Sequence, residues 1–328
     1  MGDLHVMRDD LRPPAPPPRR HLISIGDLTR EDVERLLGTA RTLERSLDRG
    51  MKKLPTLRGR LVINVFYESS TRTSSSFELA AKRLSADTMS IKASGSAVDK
   101  GESLKDTAIT LGAYDPDVIV LRHPHIGAPQ LVSRVTEACI VNAGDGKHQH
   151  PTQALLDLHT IRDALGRLDG VTVAIVGDVL HSRVARSLVE ALLLVGAEPL
   201  LIAPPTLLPR NVEALGAKVS HSIDPLADVD VVYVLRMQAE RMEASYVPSL
   251  REYTALYGVT PDRVRPGQVV MHPGPMNRGV EIDPRVADSG ASLVTTQVRS
   301  GLVVRMAVLY DLLTAPGLHV AAPALEVA

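Results

Sequence analysis

The segment Val171-Thr-Val-Ala-Ile-Val-Gly177 is almost continuously apolar and rich in β-branched residues. Such a strand is buried on both faces, as strands of a parallel sheet are, so helices must cover it. Similar short runs recur at Leu61–Tyr67, Thr88–Ile91, Val118–Leu121, Ile140–Asn142, Pro199–Ile202, Val229–Leu235 and Gln268–Met271. Between them lie stretches of helical period. Phe77, Ala80, Ala81 and Leu84 mark one over Thr71–Leu84, and another runs from His150 to Leu165 before Gly166 and Gly170. Strand–helix alternation argues βαβ units. At 328 residues the chain has room for two domains of this kind. The expected fold is therefore α/β, two lobes, each a parallel sheet flanked by helices, with a cleft between them. The boundary is placed at the end of the His150–Leu165 helix, giving lobes at 21–166 and 167–300. A last helix over 301–314 could pack on either half and is expected to return to the first, and a tail covers 315–328.

Residues 1–20 stand apart. Arg12-Pro-Pro-Ala-Pro-Pro-Pro-Arg-Arg20 is a polyproline II stretch, read as a disordered leader with an SH3-type ligand as the alternative. Charge nearly cancels, 37 Lys+Arg against 38 Asp+Glu, and only 3% of residues are aromatic. Neither a basic footprint nor base-stacking platforms are present, so nucleic acid is not the expected partner. Cys139 is the single cysteine, which excludes an internal disulfide and a cysteine-rich zinc site. No apolar run approaches the ~18–20 residues of a membrane span. A cytoplasmic location, with no membrane partner, is the expectation.

Three polar clusters can carry chemistry. Ser69-Ser-Thr-Arg-Thr-Ser-Ser-Ser76 sits between a strand and a helix, where free N–H groups, the helix dipole and Arg72 would hold an anion. An over-capped helix start is the alternative, and no Walker motif precedes it. His148-Gln-His-Pro-Thr-Gln153 places His150 and Gln153 at another helix start, a setting that favours a neutral imidazole. The alternative there is a polar surface turn, and a metal site has no third ligand at a familiar spacing. Finally, Arg122 and Arg236 end apolar runs and Arg183 follows Gly177-Asp178. In open α/β sheets the strand carboxyl ends form the ligand crevice, so these arginines suggest a substrate with several negative charges. Gly177 lacks the other glycines of a dinucleotide fingerprint, which sets a dehydrogenase aside.

The order of these motifs resembles the aspartate/ornithine carbamoyltransferase family, from about His21 to Leu313. The resemblance is carried by Phe66-Tyr-Glu-Ser-Ser-Thr-Arg-Thr73 with Ser76-Phe-Glu78, Lys100-Gly-Glu102, Leu121-Arg-His-Pro124, Asn142-Ala-Gly-Asp-Gly146, His150-Pro-Thr-Gln153, Val176-Gly-Asp178, Arg236-Met-Gln238 and His272-Pro-Gly-Pro275. Thr152, the His272–Pro275 motif and Lys100 are similar to the aspartate branch, where ornithine enzymes carry cysteine-containing motifs. Val184, Gly274 and Met276-Asn-Arg-Gly279 depart from some members.

What the resemblance implies is carbamoyl transfer from carbamoyl phosphate to aspartate, on the route to pyrimidines, without cofactor or metal. It assigns Ser70, Thr71, Arg72 and Thr73 to the phosphate. Thr73, Arg122 and His150 fall to the carbonyl oxygen, and Gln153 to the carbamoyl amine. Ser96 and Lys100 would enter from a neighbouring subunit of a homotrimer. Arg183, Arg236, Gln238 and Lys100 would grip aspartate, and Pro273 and Gly274 would offer backbone near the reacting groups, with a cis bond before Pro275. A regulatory chain or a dihydroorotase is the further partner that the family admits.

Overall fold

A computed structural model describes residues 21–92, 102–237 and 246–314. The expectations for the leader, the tail, Ser96, Lys100 and Gln238 lie outside those residues.

The first lobe holds β1 (Leu61–Phe66), β2 (Asp87–Lys92), β3 (Val118–His123) and β4 (Cys139–Asp145), in the order β2-β1-β3-β4. The second holds β5 (Thr172–Val176), β6 (Glu198–Ile202), β7 (Lys218–Ser220), β8 (Val231–Val234) and β9 (Val269–Met271), in the order β7-β6-β5-β8-β9. All these strand pairs are parallel. The near-continuous run at 171–177 is the central strand β5, buried from Val173 to Val176. The three-residue edge strand β7 gave no sequence signal because it is only half-buried and has one apolar residue.

The helices are α1 (Arg30–Asp48), α2 (Thr71–Arg83), α3 (Leu104–Gly112), α4 (Ala128–Ser133), α5 (Pro151–Leu165), α6 (Arg183–Leu194), α7 (Leu250–Tyr257), α8 (Pro284–Ala287) and α9 (Val294–Thr314). α5 starts at Pro151, whose missing N–H costs nothing at a first helical position, and ends on Gly166 at φ 74°. The last helix begins at Val294, seven residues before the expected Gly301. Its first two turns carry exposed Thr295, Thr296, Val298 and Arg299 and turn only polar Gln297 and Ser300 inward, so no apolar stripe marks them. α9 packs against α1, α2 and α5 of the first lobe, while its start touches β9 of the second.

Chain order predicts where a ligand can sit. In the first sheet the chain runs from β1 out to β2, then returns to the other side of β1 as β3. In the second it runs from β5 out to β6 and β7, then returns beside β5 as β8. A crevice opens beyond the carboxyl ends of strands at such reversals. Beyond β1 and β3 lie Glu68–Thr73 and Arg122, and beyond β5 and β8 lie Asp178–Arg183 and Arg236. Among the described residues, no helix is long and apolar enough to cross a membrane.

Candidate active site

The two crevices merge into one cleft of about 660 Å³. Ser70, Thr71, Arg72, Thr73, Arg122, His150, Gln153, Arg183, Arg236, Pro273 and Gly274 all line it. Every site residue singled out in the sequence that falls within the described residues is therefore there. Arg305 also lines it, so five arginines face Glu68, the single acidic residue of the wall among the described residues. In a chain of net charge −1 this is a concentrated positive field, which low-dielectric walls focus on an anion.

α2 opens on this cleft at its N-terminus. Despite the run of hydroxyls, Ser70 makes no side-chain capping bond among the described residues. Ser74 Oγ donates instead to the Ser70 carbonyl at 2.7 Å, and Ser76 Oγ to that of Thr73 at 3.1 Å. The helix start is thus not over-capped among the described residues, and first-turn N–H groups without a side-chain cap are what an anion would need there. The Arg72 guanidinium lies against Gly274, where a Cβ would come within 2.8 Å of it. Gly274 has φ 63° and precedes the cis bond to Pro275. Burial, and then the neighbouring Arg236, lower the Arg72 pKa. An anion at this point relieves both penalties at once.

Glu68 joins two arginines. Arg183 Nη2 donates to its Oε2 at 2.6 Å and Arg122 Nε to the same oxygen at 3.3 Å. Arg183 also donates to the Gly146 carbonyl at 3.0 Å and packs on Gly144, whose φ of 120° and missing Cβ allow the approach. Arg183 is only 4% exposed.

His150 is the N-cap residue of α5. Its backbone N–H donates to Ser187 Oγ at 2.7 Å, and Ser187 Oγ donates in turn to Gln149 Oε1 at 2.9 Å. Burial, then Arg122, Arg305 and Arg183, hold its pKa well below the ordinary histidine value. The ring is therefore neutral at physiological pH and can donate one hydrogen bond without carrying charge. His272 is likewise held neutral, mainly by burial. Its Nδ1 accepts from the Gly274 N–H at 2.8 Å and its Nε2 faces Glu281 Oε1 at 3.2 Å, which sets the shape of the 272–275 segment.

Sequence reading missed several supports of the site. Glu68 sits inside a quoted motif, but its bond to Arg183 spans 115 positions. Ser187, Gln297 and Arg305 are polar residues on otherwise buried helix faces, and that mismatch is the signal that could have found them. A separate cluster, Glu44, His159 and Asp163, has ligand atoms within 4.8 Å of one another. Both carboxylates there are already held by arginines, Arg299 and Arg41.

Comparison with known proteins agrees with this geometry. Residues 20–163 match the aspartate/ornithine carbamoyltransferase carbamoyl-P binding domain, and residues 169–312 match the Asp/Orn binding domain of the same enzymes. The aspartate carbamoyltransferase catalytic subunit of Pelotomaculum thermopropionicum is 54% identical over 91% of this chain and 97% of its own length. That of Acidothermus cellulolyticus is 57% identical over 90% and 92%. Among solved structures, Trypanosoma cruzi aspartate transcarbamoylase with carbamoyl phosphate and aspartate superposes with a TM-score of 0.81, at 33% identity over 89% of this chain and 96% of that one. The catalytic subunit of M. jannaschii aspartate transcarbamoylase gives 0.79 at 40% identity over 89% and 97%. Two matched domains in the right order, with the uncapped helix start and the arginine-lined cleft between them, leave one conclusion: the chain belongs to the aspartate/ornithine carbamoyltransferase family.

Proposed function

We propose that the chain transfers the carbamoyl group of carbamoyl phosphate to the α-amine of L-aspartate, giving N-carbamoyl-L-aspartate and phosphate in pyrimidine biosynthesis. The observation that carries this reading is the cleft in which, among the described residues, five arginines stand against one carboxylate, since both substrates are anions. An ammonium side chain such as that of ornithine would meet repulsion there.

The uncapped start of α2, with Ser70, Thr71, Arg72 and Thr73, takes the phosphate. Thr73, Arg122 and neutral His150 converge on the carbamoyl oxygen and donate to the negative charge that grows on it. Gln153 holds the carbamoyl NH2. Arg183 and Arg236, joined by Gln238 and Lys100, grip the aspartate carboxylates, and the backbone at Pro273 and Gly274 borders the reacting groups. The aspartate nitrogen attacks the carbamoyl carbon, the new C–N bond forms, and the C–O bond to phosphate breaks. The leaving phosphate takes the amine proton. Two mutually repelling anions must be aligned, and orientation of this kind is worth ~7–11 kcal/mol. Glu68 serves that alignment. Its single negative charge offsets part of the charge of Arg122 and Arg183 before the substrates bind and must yield them as the anions arrive.

A homotrimer with Ser96 and Lys100 supplied across the subunit interface belongs to the same reading. Ile109, Tyr114, Ile126 and Leu131, on and beside α3 and α4, are exposed apolar residues at 43–62% exposure and support a covered face there. A regulatory chain or a dihydroorotase would dock on that trimer. The activity test is purified protein with carbamoyl phosphate and either aspartate or ornithine, read as carbamoylated product. Product with aspartate alone is expected, and product with ornithine alone would overturn the substrate assignment. Mixing inactive Lys100→Ala and His150→Ala proteins should restore activity after subunit exchange. No recovery after verified exchange would refute site sharing.

A further inference from the structure

α5 carries a carboxylate on its inward face. Asp157 is fully buried one turn after Gln153, between apolar Ala154, Leu155, Leu156 and Leu158. Three side chains from three elements donate to it. Gln153 Nε2 reaches its two oxygens at 3.1 and 3.3 Å, the Tyr233 hydroxyl of β8 lies at 2.7 Å, and Gln297 Nε2 of α9 lies at 2.8 Å. Gln297 Oε1 in turn accepts from the His272 N–H at 2.9 Å, immediately before Pro273 and Gly274. Tyr233 stands three residues before Arg236. A single carboxylate therefore joins the cleft amide of the first lobe to both cleft-forming segments of the second.

Stability alone does not ask for a carboxylate here. Burial outweighs the three donors and the Arg305 charge and raises the Asp157 pKa to about 7. A neutral residue of the same shape would avoid that cost at the expense of one unpaired donor, and buried charge kept beside a cleft points to function. The chemistry supplies one. An ionised carboxylate has no proton to give, so it faces the amide nitrogen of Gln153 and leaves the amide oxygen as the group turned to the cleft. The carbamoyl NH2 is a donor and needs that acceptor.

We propose that Asp157 is a positioning residue that fixes the Gln153 amide with its oxygen towards the carbamoyl nitrogen and couples that amide to the β8 and 272–275 segments. The proposal rests on the carbamoyl-transfer reading. Once Asp157 takes a proton it can donate to the amide oxygen, and Gln153 can then turn over. The groups facing it are Gln153 on its own helix, Tyr233 on β8, and Gln297 and Arg305 on α9.

The test is a double-mutant cycle of Asp157→Asn and Gln153→Ala in the full chain. It reads kcat and KM for carbamoyl phosphate at saturating aspartate, together with Tm. Asp157→Asn should lower kcat/KM about 10–100-fold, the scale of a misplaced contact group, while Tm falls by no more than a few degrees, because relief of the buried charge offsets the donor left unpaired. In the Gln153→Ala background the same change should cost less than about threefold. The wild-type kcat/KM should also fall as pH drops through about 7, a limb that Asp157→Asn lacks. Multiplying losses, or a Tm that falls in step with activity, would overturn the proposal in favour of a purely structural role. If Asp157→Asn fails to fold, Tyr233→Phe removes one donor only. Its loss must likewise vanish in the Gln153→Ala background, and persistence there would also overturn the proposal. A wild-type protein making no carbamoyl-aspartate would sink the underlying reading before any variant is compared.

Discussion

Replacing His150 by alanine isolates one part of the site from the rest. The imidazole is 4% exposed, and its Nδ1 has no hydrogen-bond partner among the described residues, so truncation breaks no side-chain bond there. The backbone N–H remains on Ser187 Oγ, and α5 keeps its start. The packing loss should therefore stay within about 1–3 kcal/mol of stability. What disappears is the neutral donor proposed for the carbamoyl oxygen, and losing one such donor costs about 10²–10³ in kcat. On the proposed reading phosphate is held elsewhere, at the α2 N-terminus and Arg72, so its affinity should move by less than about threefold, or ~0.6 kcal/mol. Steady-state formation of carbamoyl-aspartate gives kcat, and calorimetric titration with inorganic phosphate gives the ground-state affinity. Because the ring stays neutral well below its ordinary pKa, the normalised pH profile of kcat should keep its shape in the variant. Equal losses in kcat and phosphate affinity, or a kcat within about threefold of wild type, would refute the oxyanion role.

Two further changes probe the frame around that chemistry. Glu68→Gln should tighten inorganic phosphate binding by about fivefold, since a partly screened negative charge leaves the cleft. Tm should fall in the same variant because Arg183 loses the carboxylate oxygen at 2.6 Å; unchanged or weaker phosphate binding would count against the clamp. Asn142→Ala removes three buried bonds, from Nδ2 to Ile23 O at 2.9 Å and Asp145 Oδ1 at 2.8 Å and from the Gly144 N–H to Oδ1 at 2.8 Å. That should cost about 3 kcal/mol, or roughly 6–12 °C in Tm, and a drop under about 2 °C by calorimetry would contradict it.

The strands were legible because a parallel strand buried on both faces leaves an unbroken apolar run, as Val173–Val176 does. The α2 corner of the cleft was legible because Ser70, Thr71, Arg72 and Thr73 are adjacent in sequence and one helix start gathers them. Contacts across long separations were not. Tyr233 and Asp157 are 76 positions apart, and Gln297 and Asp157 are 140 apart, so nothing local to either partner announces the pair. The start of α9 was hidden for another reason. Its first inward-facing residues are polar: Gln297 bonds Asp157 and the His272 N–H, and Ser300 is a small buried hydroxyl, so neither starts an apolar stripe.

The return of α9 bears on how the lobes can move. The chain passes between them twice, once after α5 through Gly166–Gly170 and once between β9 and α9, where Leu293 N–H is tied to the Val270 carbonyl at 2.8 Å. Bodies joined by one tether can swivel about three axes. A second tether removes the twist and the slide, and leaves rotation about the line through both crossings. Opening the cleft is then close to a motion with one degree of freedom. Were the cleft to open, Arg183 and Arg236 would be carried along one arc relative to Ser70–Thr73 rather than along many.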